Sequence, residues 1–203
     1  MTSSVSPALT DKRQQIIEAA SHAFLEKGYQ HASMESIAHQ AGVAKQTLYN
    51  HFGNKDALFV AVVESLCQCG HETMRQEDIR SDEVEAALQQ YAQRKLADLI
   101  SASNTALYRM MIAEAMRFPR LGELFFNIGM EEDRLVLVSF LQRQQQNGNL
   151  KVDDPEQAAL FFQGALNAYF RPRYIMTGKK ADPDSIQKHI QYCIDKFLQL
   201  YRP

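Results

Sequence analysis

Polar side chains with varied hydrogen-bonding groups are concentrated between residues 45 and 51. The set comprises Lys45, Gln46, Thr47, Tyr49, Asn50 and His51. Its lysine can donate to O6 and N7 of guanine, and its glutamine amide can form two hydrogen bonds with adenine. Its hydroxyls are suited to phosphate oxygens. The set therefore matches the chemistry of a DNA duplex; the alternative is an ordinary solvated face on a small helical hairpin.

Two short helices are predicted to position this set. Ser33 is a good N-cap because its hydroxyl can accept from the free N–H groups of the next turn, and apolar residues follow it at helical spacing. Gly42 suits the left-handed residue that ends a helix. The second helix is expected over residues 44–51, with Leu48 and Phe52 directed inward. Residues 33–52 thus predict a helix-turn-helix, which lays its second helix in the major groove of DNA.

The segment from Lys12 to Leu58 resembles the TetR family of bacterial transcription regulators. The resemblance rests on IIEAASHAFLEKGYQHASMESIAHQAGV at residues 16–43 and on TLYNHFGNKDALF at residues 47–59. One departure is Ala44, which stands where the family often has a serine. Losing a helix cap costs about 0.5–2 kcal/mol. This departure therefore concerns how strongly the helix binds DNA and not how it is oriented on the DNA.

The resemblance also implies which residues contact DNA. With the outward-facing Asn50 added, the expected set is Lys12, Arg13, Ser33, Lys45, Gln46, Thr47, Tyr49, Asn50, His51 and Lys55. Lys45 and Gln46 would contact bases. The family's other positions would hold backbone phosphates or approach the flanking DNA.

Composition limits the remaining possibilities. The 203-residue chain has a net charge of −2, and five basic residues balance five acidic ones within residues 1–60. DNA affinity must therefore come from the placement of charges and from two DNA-binding helices in a dimer, and we predict salt-sensitive binding. No apolar run approaches the roughly 20 residues that span a bilayer. The first ten residues lack a signal-peptide pattern, and the three cysteines then predict a cytoplasmic protein without disulfides.

Catalytic motifs are absent from the sequence. It contains no nucleophile elbow, no phosphate-binding loop and no HExxH pair, so we expect neither an enzyme nor a cofactor. Cys67, Cys69 and Cys193 leave open an alternative, a redox-responsive regulator with the same DNA-binding domain. Together with His71, the first two cysteines have metal-ligand identities. Their spacing of two on a helix directs them to different sides, and no metal site is expected.

Helical periodicity recurs along the chain without strand alternation, which predicts an all-α fold of about nine helices. One helix is expected from about Leu121 to the Asn147–Gly148 pair. Another is expected to start at Asp154–Pro155 and to be disturbed near Pro172. We predict a disordered arm at residues 1–9, a helix-turn-helix domain at residues 10–55, and a ligand-binding and dimerisation domain at residues 56–203.

The middle helices are rich in methionine and aromatic residues, and the family resemblance implies that such helices enclose a small-molecule pocket. The stretch RMMIAEAMRFPRLGELFFNIG, at residues 109–129, further resembles the AcrR-like branch. Glu114 shares an apolar helical face, so it needs a partner, which is either Arg109, Arg117 or a cationic ligand. The predicted ligand residues are Tyr91, Leu107, Met110, Met111, Glu114, Phe118, Phe125, Met130, Phe162 and Tyr169.

The last two predicted helices carry small and apolar residues that suit a helix–helix contact. The resemblance implies a two-fold dimer formed through these helices, although such stripes also close the core of a monomer. The predicted dimer residues are Phe161, Ala165, Ala168, Ile190, Ile194 and Phe197. A homodimer would place two DNA-binding helices about one DNA turn apart, roughly 34–36 Å, on a near-palindromic operator.

Overall fold

A computed structural model describes residues 7–70 and 83–203, and every regular element within these two ranges is helical. The α-helices are α1 (Pro7–His31), α2 (Met34–Gln40), α3 (Lys45–Phe52), α4 (Lys55–Gly70), α5 (Val84–Leu99), α6 (Ala102–Glu114), α7 (Pro119–Phe126), α8 (Glu132–Gln146), α9 (Pro155–Asn167), α10 (Phe170–Thr177) and α11 (Pro183–Tyr201). A π-helical segment, Asn127–Glu131, joins α7 to α8.

The predicted all-helical composition holds for the described residues, but the predicted number of about nine helices is wrong. The described part of the chain contains eleven α-helices. The single helix expected from Leu121 to residue 147 consists of α7, the π-helical segment and α8. A π-helical turn adds a residue to the helical path and changes the side-chain register, which hydrophobic spacing does not reveal.

The second additional helix arises at Pro172. In a continuous helix its ring would clash with the carbonyl of Ala168, and it has no N–H to donate. The chain instead interrupts the helix after Asn167, with Tyr169 at φ −109° and ψ −53°. Pro172 then lies in the first turn of α10, where a proline is tolerated.

The described residues divide into two compact units, of which the first comprises residues 7–70 and 106–125. Its α1 contains a break at Gly28 (φ 76°, ψ 166°). Its core is aromatic, because the ring of Phe59 lies 5.2 Å from that of Phe24, 4.9 Å from that of Tyr29 and 5.2 Å from that of Phe118. Residues 1–6 of the predicted arm lie outside the described residues, and residues 7–9 belong to α1.

The second unit comprises residues 83–105 and 126–203. Its buried core includes Leu88, Tyr91, Phe162, Ile194 and Phe197, which come from α5, α9 and α11. Asp154 caps the start of α9, because its carboxylate accepts from the backbone N–H groups of residues 156 and 157. None of the helices in the two described ranges combines the length and the hydropathy that a membrane span requires.

Candidate functional site

The connection between α2 and α3 has the geometry that the sequence predicts. Ser33 caps α2, because its Oγ accepts from the N–H of Ser36 at 3.1 Å. Gly42 adopts the left-handed conformation (φ 63°), and the N–H of Val43 reaches back to the carbonyl of Ala38 at 3.0 Å. This closing pattern turns the chain sharply at the end of α2 and fixes the direction of α3.

Helix α3 has one buried face and one exposed face. Leu48 and Phe52 are buried, and their spacing of four residues places them on the same side of the helix. Lys45, Gln46, Tyr49 and Asn50 are exposed, whereas Thr47 and His51 are half-buried. No side chain caps the start of α3, because Ala44 occupies the cap position. The exposed face therefore carries the donors and acceptors that can meet base edges.

Several of these polar side chains already have partners within the chain. Lys45 Nζ forms an ion pair with Glu35, whose hydrogen bond raises the pKa of Lys45, and this bond also lowers the pKa of Glu35. Gln46 Nε2 donates to Asn50 Oδ1 at 2.9 Å. Both interactions lie at the protein surface, where a DNA contact can replace them.

The other three basic residues predicted to contact DNA have different environments. Lys12 and Arg13 are exposed at the start of α1, and the Arg13 guanidinium lies 5.4 Å from the ring centroid of Phe52. Lys55 Nζ donates to the carbonyl of Gln30 at 3.1 Å and lies 4.5 Å from the ring centroid of Tyr29. Burial, with the nearby charge of Arg117, lowers the pKa of Lys55.

The first unit also contains a charged cluster that sequence analysis missed, formed by Tyr29, Asp56 and Arg117. The Tyr29 hydroxyl donates to Asp56 Oδ1, and Arg117 Nη2 lies 3.3 Å from the same oxygen. The Arg117 guanidinium also lies 4.7 Å from the Tyr29 ring centroid. Burial and the bond to Asp56 raise the pKa of Tyr29 to about 12. The sequence signals at these positions, a helix end and a first-turn acid, are local and do not indicate the pairing.

The charge of Glu114 acts on Lys55, a residue that the sequence-based alternatives did not include. Glu114 is buried on α6, as its position on an apolar face predicts. The ion pair of Arg117 is with Asp56, and the charge of Glu114 acts on Lys55. Two residues of the predicted ligand site thus take part in the packing of the first unit, since the Phe118 ring lies 5.5 Å from that of Tyr29.

The other predicted ligand residues are spread over both units. Met110 and Met111 of the first unit are buried, while Leu107 and Phe125 are partly buried. In the second unit, Tyr91 and Phe162 are fully buried in the core, Met130 is partly buried and Tyr169 is exposed. Their role in ligand binding stays a prediction.

The predicted dimer residues also divide into two groups. Ile190, Ile194 and Phe197 lie in the core of their own chain. Phe161 and Ala168 are exposed, and Ala165 is partly buried. A groove of about 380 Å³ on α9 and α11 is lined by Phe161, Ala165, Tyr192, Cys193, Lys196, Gln199 and Leu200. The surface of these two helices is therefore largely apolar at this groove.

The second unit contains a buried polar cluster, formed by Tyr91, Lys95, Asp133 and Gln163, that the sequence did not predict as a cluster. Lys95 Nζ and Asp133 Oδ2 form an ion pair whose side chains are 10% and 9% exposed. The same oxygen accepts from the Tyr91 hydroxyl at 3.1 Å and from Gln163 Nε2 at 2.9 Å. Gln163 Nε2 also lies 2.7 Å from the Tyr91 hydroxyl oxygen. The hydrogen-bonded pairs of this cluster are 30 to 72 positions apart, so no local pattern signals them.

Among the described residues, the cysteines give little support for a redox sensor. Cys193 is buried, and burial raises the pKa of its thiol. The side chains of Cys67 and Cys69, and the whole of His71, lie outside the described residues. Within the part of the chain that the structure describes, no three His, Cys, Asp or Glu side chains are grouped so that they could hold a metal ion.

Two family models match the chain. Residues 16–62 match the model described as bacterial regulatory proteins of the tetR family. Residues 86–203 match the C-terminal domain of AefR-like transcriptional repressors.

Among curated relatives, the HTH-type transcriptional activator FasR of Mycolicibacterium smegmatis is 44% identical over 54 residues, which are 27% of this chain and 25% of that protein. The chain therefore matches only about a quarter of the length of this relative.

Solved structures extend the similarity to nearly the whole chain. A TetR-family regulator from Mesorhizobium loti is 31% identical, with 98% of this chain and 100% of that chain covered and a TM-score of 0.89. The flavonoid-responsive regulator FrrA is 30% identical, with 95% and 97% covered and a TM-score of 0.79. The similarity thus includes both the helix-turn-helix and the C-terminal helices.

Proposed function

Because the chain belongs to the TetR family of bacterial transcriptional regulators, we propose that it acts as a homodimeric repressor in the cytoplasm. The dimer binds a near-palindromic operator through α3 of each subunit. A small, largely apolar ligand binds the C-terminal helices and favours a conformation whose α3 helices no longer fit adjacent major grooves.

The observation that carries this proposal is the division of α3 into two faces. Leu48 and Phe52 anchor the helix to its unit, while Lys45, Gln46 and Tyr49 are exposed on a rigid element next to a tight turn. A helix held in this way can enter the major groove, where an amide and an ammonium group distinguish base pairs.

Support for a dimer comes from the exposed surface of α9 and α11. Phe161 is 48% exposed and Leu200 is 62% exposed, and both line the same apolar groove. Ala168, which directly follows α9, is small and exposed, which allows close approach of a second helix. A two-fold contact through this surface would repeat it on both subunits.

Support for an apolar ligand comes from composition and from one neighbour. Methionine and aromatic side chains on α6 and α7 adapt to irregular apolar shapes. FrrA, which shares 30% identity with the chain, is named for its response to flavonoids. Repression is favoured by the match to a repressor C-terminal domain, although FasR is an activator by name.

The redox alternative has less support. A thiol reacts as its thiolate, and burial raises the pKa of Cys193, which keeps this thiol protonated. The other two cysteines would have to form the sensor. Replacing all three with serine would abolish a redox response and would leave a ligand response in place.

The experiment that tests the proposal is recovery of fragmented genomic DNA from the source organism by the purified protein, followed by sequencing. The wild type is compared with a Lys45→Ala/Tyr49→Ala variant, in which two exposed residues of α3 are truncated. A Lys179→Ala/Lys180→Ala variant, altered in the exposed loop before α11, controls for loss of surface charge.

We expect the wild type and the loop variant to enrich one near-palindromic sequence and the α3 variant to enrich none. Equal enrichment by all three proteins would contradict recognition through α3. If the wild type enriches nothing, the pull-down is repeated after unfolding and refolding, which removes a bound ligand. Failure after this step as well would refute sequence-specific binding by the free protein.

A further inference from the structure

The buried polar cluster has an uneven distribution of hydrogen bonds on Asp133. All three donors, Lys95, Tyr91 and Gln163, converge on the Oδ2 atom. The Oδ1 atom is buried and has no hydrogen-bond partner among the described residues. An unpaired buried acceptor is costly, and in native proteins it usually has a functional or structural reason.

Other unpaired oxygens belong to residues near this cluster. Asn104 Nδ2 donates to Asp98 Oδ2 at 3.0 Å, and the charge of Asp133 acts on Asp98. Since Asp98 requires a donor, the amide of Asn104 is held with its Oδ1 directed elsewhere, and this oxygen is also buried and unpaired. Asn167 lies one helical turn after Gln163 on α9, and its Oδ1 is likewise buried without a hydrogen-bond partner. The second unit therefore presents several buried acceptors that call for a donor.

The charges around these acceptors restrict the donor to a neutral group. Lys95 already neutralises Asp133, and Arg171, which is buried, acts on Asp98. A cationic ligand would meet the ammonium of Lys95 at the same carboxylate, and like charges at such a distance repel strongly in a buried site. A hydroxyl donates a hydrogen bond without adding a charge. A phenolic hydroxyl is a better donor than an aliphatic hydroxyl, because it is more acidic.

We propose that Asp133 Oδ1 accepts a hydrogen bond from a phenolic hydroxyl of a neutral aromatic effector, and that this bond selects hydroxylated ligands over purely apolar ones. The proposal rests on the proposed function, because it names the ligand class of the same regulator. It assigns Asp133 as the residue that determines ligand specificity, with Lys95, Tyr91 and Gln163 holding its carboxylate in place.

The test is calorimetric titration of the full-length protein with a trihydroxyflavone and with its fully O-methylated counterpart. The two probes share one ring system and differ in their donors. The variant is Lys95→Met/Asp133→Leu, which removes both charges together, so that neither is left buried alone, and which leaves Tyr91 and Gln163 bonded to each other. The control is Glu85→Gln/Arg202→Met, which removes an exposed ion pair of the same unit.

We expect the wild type and the control to bind the hydroxylated probe about ten-fold more tightly or better, since a hydrogen bond to a charged group has this worth. In the Lys95→Met/Asp133→Leu variant the difference between the probes should fall below about two-fold. Circular dichroism and thermal unfolding establish that this variant is folded. If it is not, Asp133→Asn with Lys95→Met, a smaller change, is titrated in its place, and a reduced preference is expected.

Three outcomes would overturn the proposal: equal binding of both probes by the wild type, binding of neither probe, or an unchanged preference in the folded double variant. Release of the operator fragment, measured with the same probes, separates these outcomes from failure of the proposed function. Release by the methylated probe alone would leave a ligand-controlled regulator intact and would remove only the role of Asp133.

Discussion

The two units of the protein each contain a lysine–carboxylate pair, and the two pairs differ in burial. Lys45 and Glu35 in the first unit have side chains that are 54% and 72% exposed. Lys95 and Asp133 in the second unit have side chains that are 10% and 9% exposed. Water solvates the first pair and can replace either partner, whereas the second pair depends on its own hydrogen bonds. The first pair can therefore exchange its partners, and the second cannot without leaving a buried charge unpaired.

The buried pair is supported by neutral donors. Tyr91 and Gln163 both donate to the oxygen that Lys95 contacts, so the desolvated carboxylate retains three hydrogen bonds. Such support offsets part of the cost of removing two charges from water, but it does not make either charge dispensable alone.

The largest expected effect is on stability, from breaking the buried pair. Lys95→Met leaves the carboxylate of Asp133 without its cation, and we expect the free energy of unfolding to fall by about 3–5 kcal/mol. Urea unfolding at fixed protein concentration, followed by circular dichroism, measures this change. Arg202→Met, which breaks the exposed pair with Glu85, is the matched control and should cost less than about 1 kcal/mol.

The Lys95→Met/Asp133→Leu variant sharpens this result. Removing both charges should recover most of the stability lost in Lys95→Met, because no unpaired charge remains. If the double variant is no more stable than Lys95→Met, packing rather than charge would explain the loss.

The next largest effect concerns the exposed lysine and appears in DNA binding. In Lys45→Ala we expect about ten-fold weaker binding of the enriched operator and a smaller dependence of affinity on salt, since fewer counterions are released. Fluorescence anisotropy with labelled operator at several salt concentrations measures both quantities. Lys180→Ala should change neither quantity. An unchanged salt dependence in Lys45→Ala would argue against a contact of this lysine with DNA.

The sequence predicts local contacts, but it does not predict contacts between distant residues. The cap of α2, the left-handed Gly42 and the buried face of α3 all follow from contacts within about four residues, and the structure confirms them. The approximate count of nine helices was wrong because a π-helical segment and Pro172 divide two predicted helices.

Contacts between distant residues were beyond prediction from one sequence. Tyr29 and Asp56 are separated by 27 positions, and Lys95 and Asp133 by 38. Each of these residues has an ordinary local role as a helix-end aromatic, a first-turn acid or a helical lysine. Their pairing depends on how the helices pack, and hydrophobic periodicity does not specify that packing.

A smaller effect is expected at Tyr29, whose hydrogen bond to Asp56 is partly buried. Its environment thus lies between those of the exposed Lys45–Glu35 pair and the buried Lys95–Asp133 pair. Its pKa is raised from 10.0 to about 12, so its neutral form stabilises the folded state fully below pH 10 and progressively loses this contribution as the pH rises to about 12. Asp56→Asn should lower this pKa and cost about 1 kcal/mol of stability near neutral pH. Absorbance titration of the phenolates, with Tyr29→Phe subtracted from the wild type, isolates the group. A Tyr29 titration near pH 10 would show that the bond to Asp56 is not maintained in solution.

The smallest expected effect comes from removing the carboxylate of the exposed Lys45–Glu35 pair. Glu35→Gln removes the charge that competes with DNA for Lys45, and because both side chains are solvated, the midpoint of urea unfolding should not change measurably. Operator affinity should rise a few-fold at low salt, with the gain declining as salt screens the charges. Gln14→Ala, an exposed change on α1, is the control. If Glu35→Gln instead weakens binding or relaxes its sequence preference, Glu35 would itself contact the DNA, because a carboxylate can accept a hydrogen bond from cytosine N4.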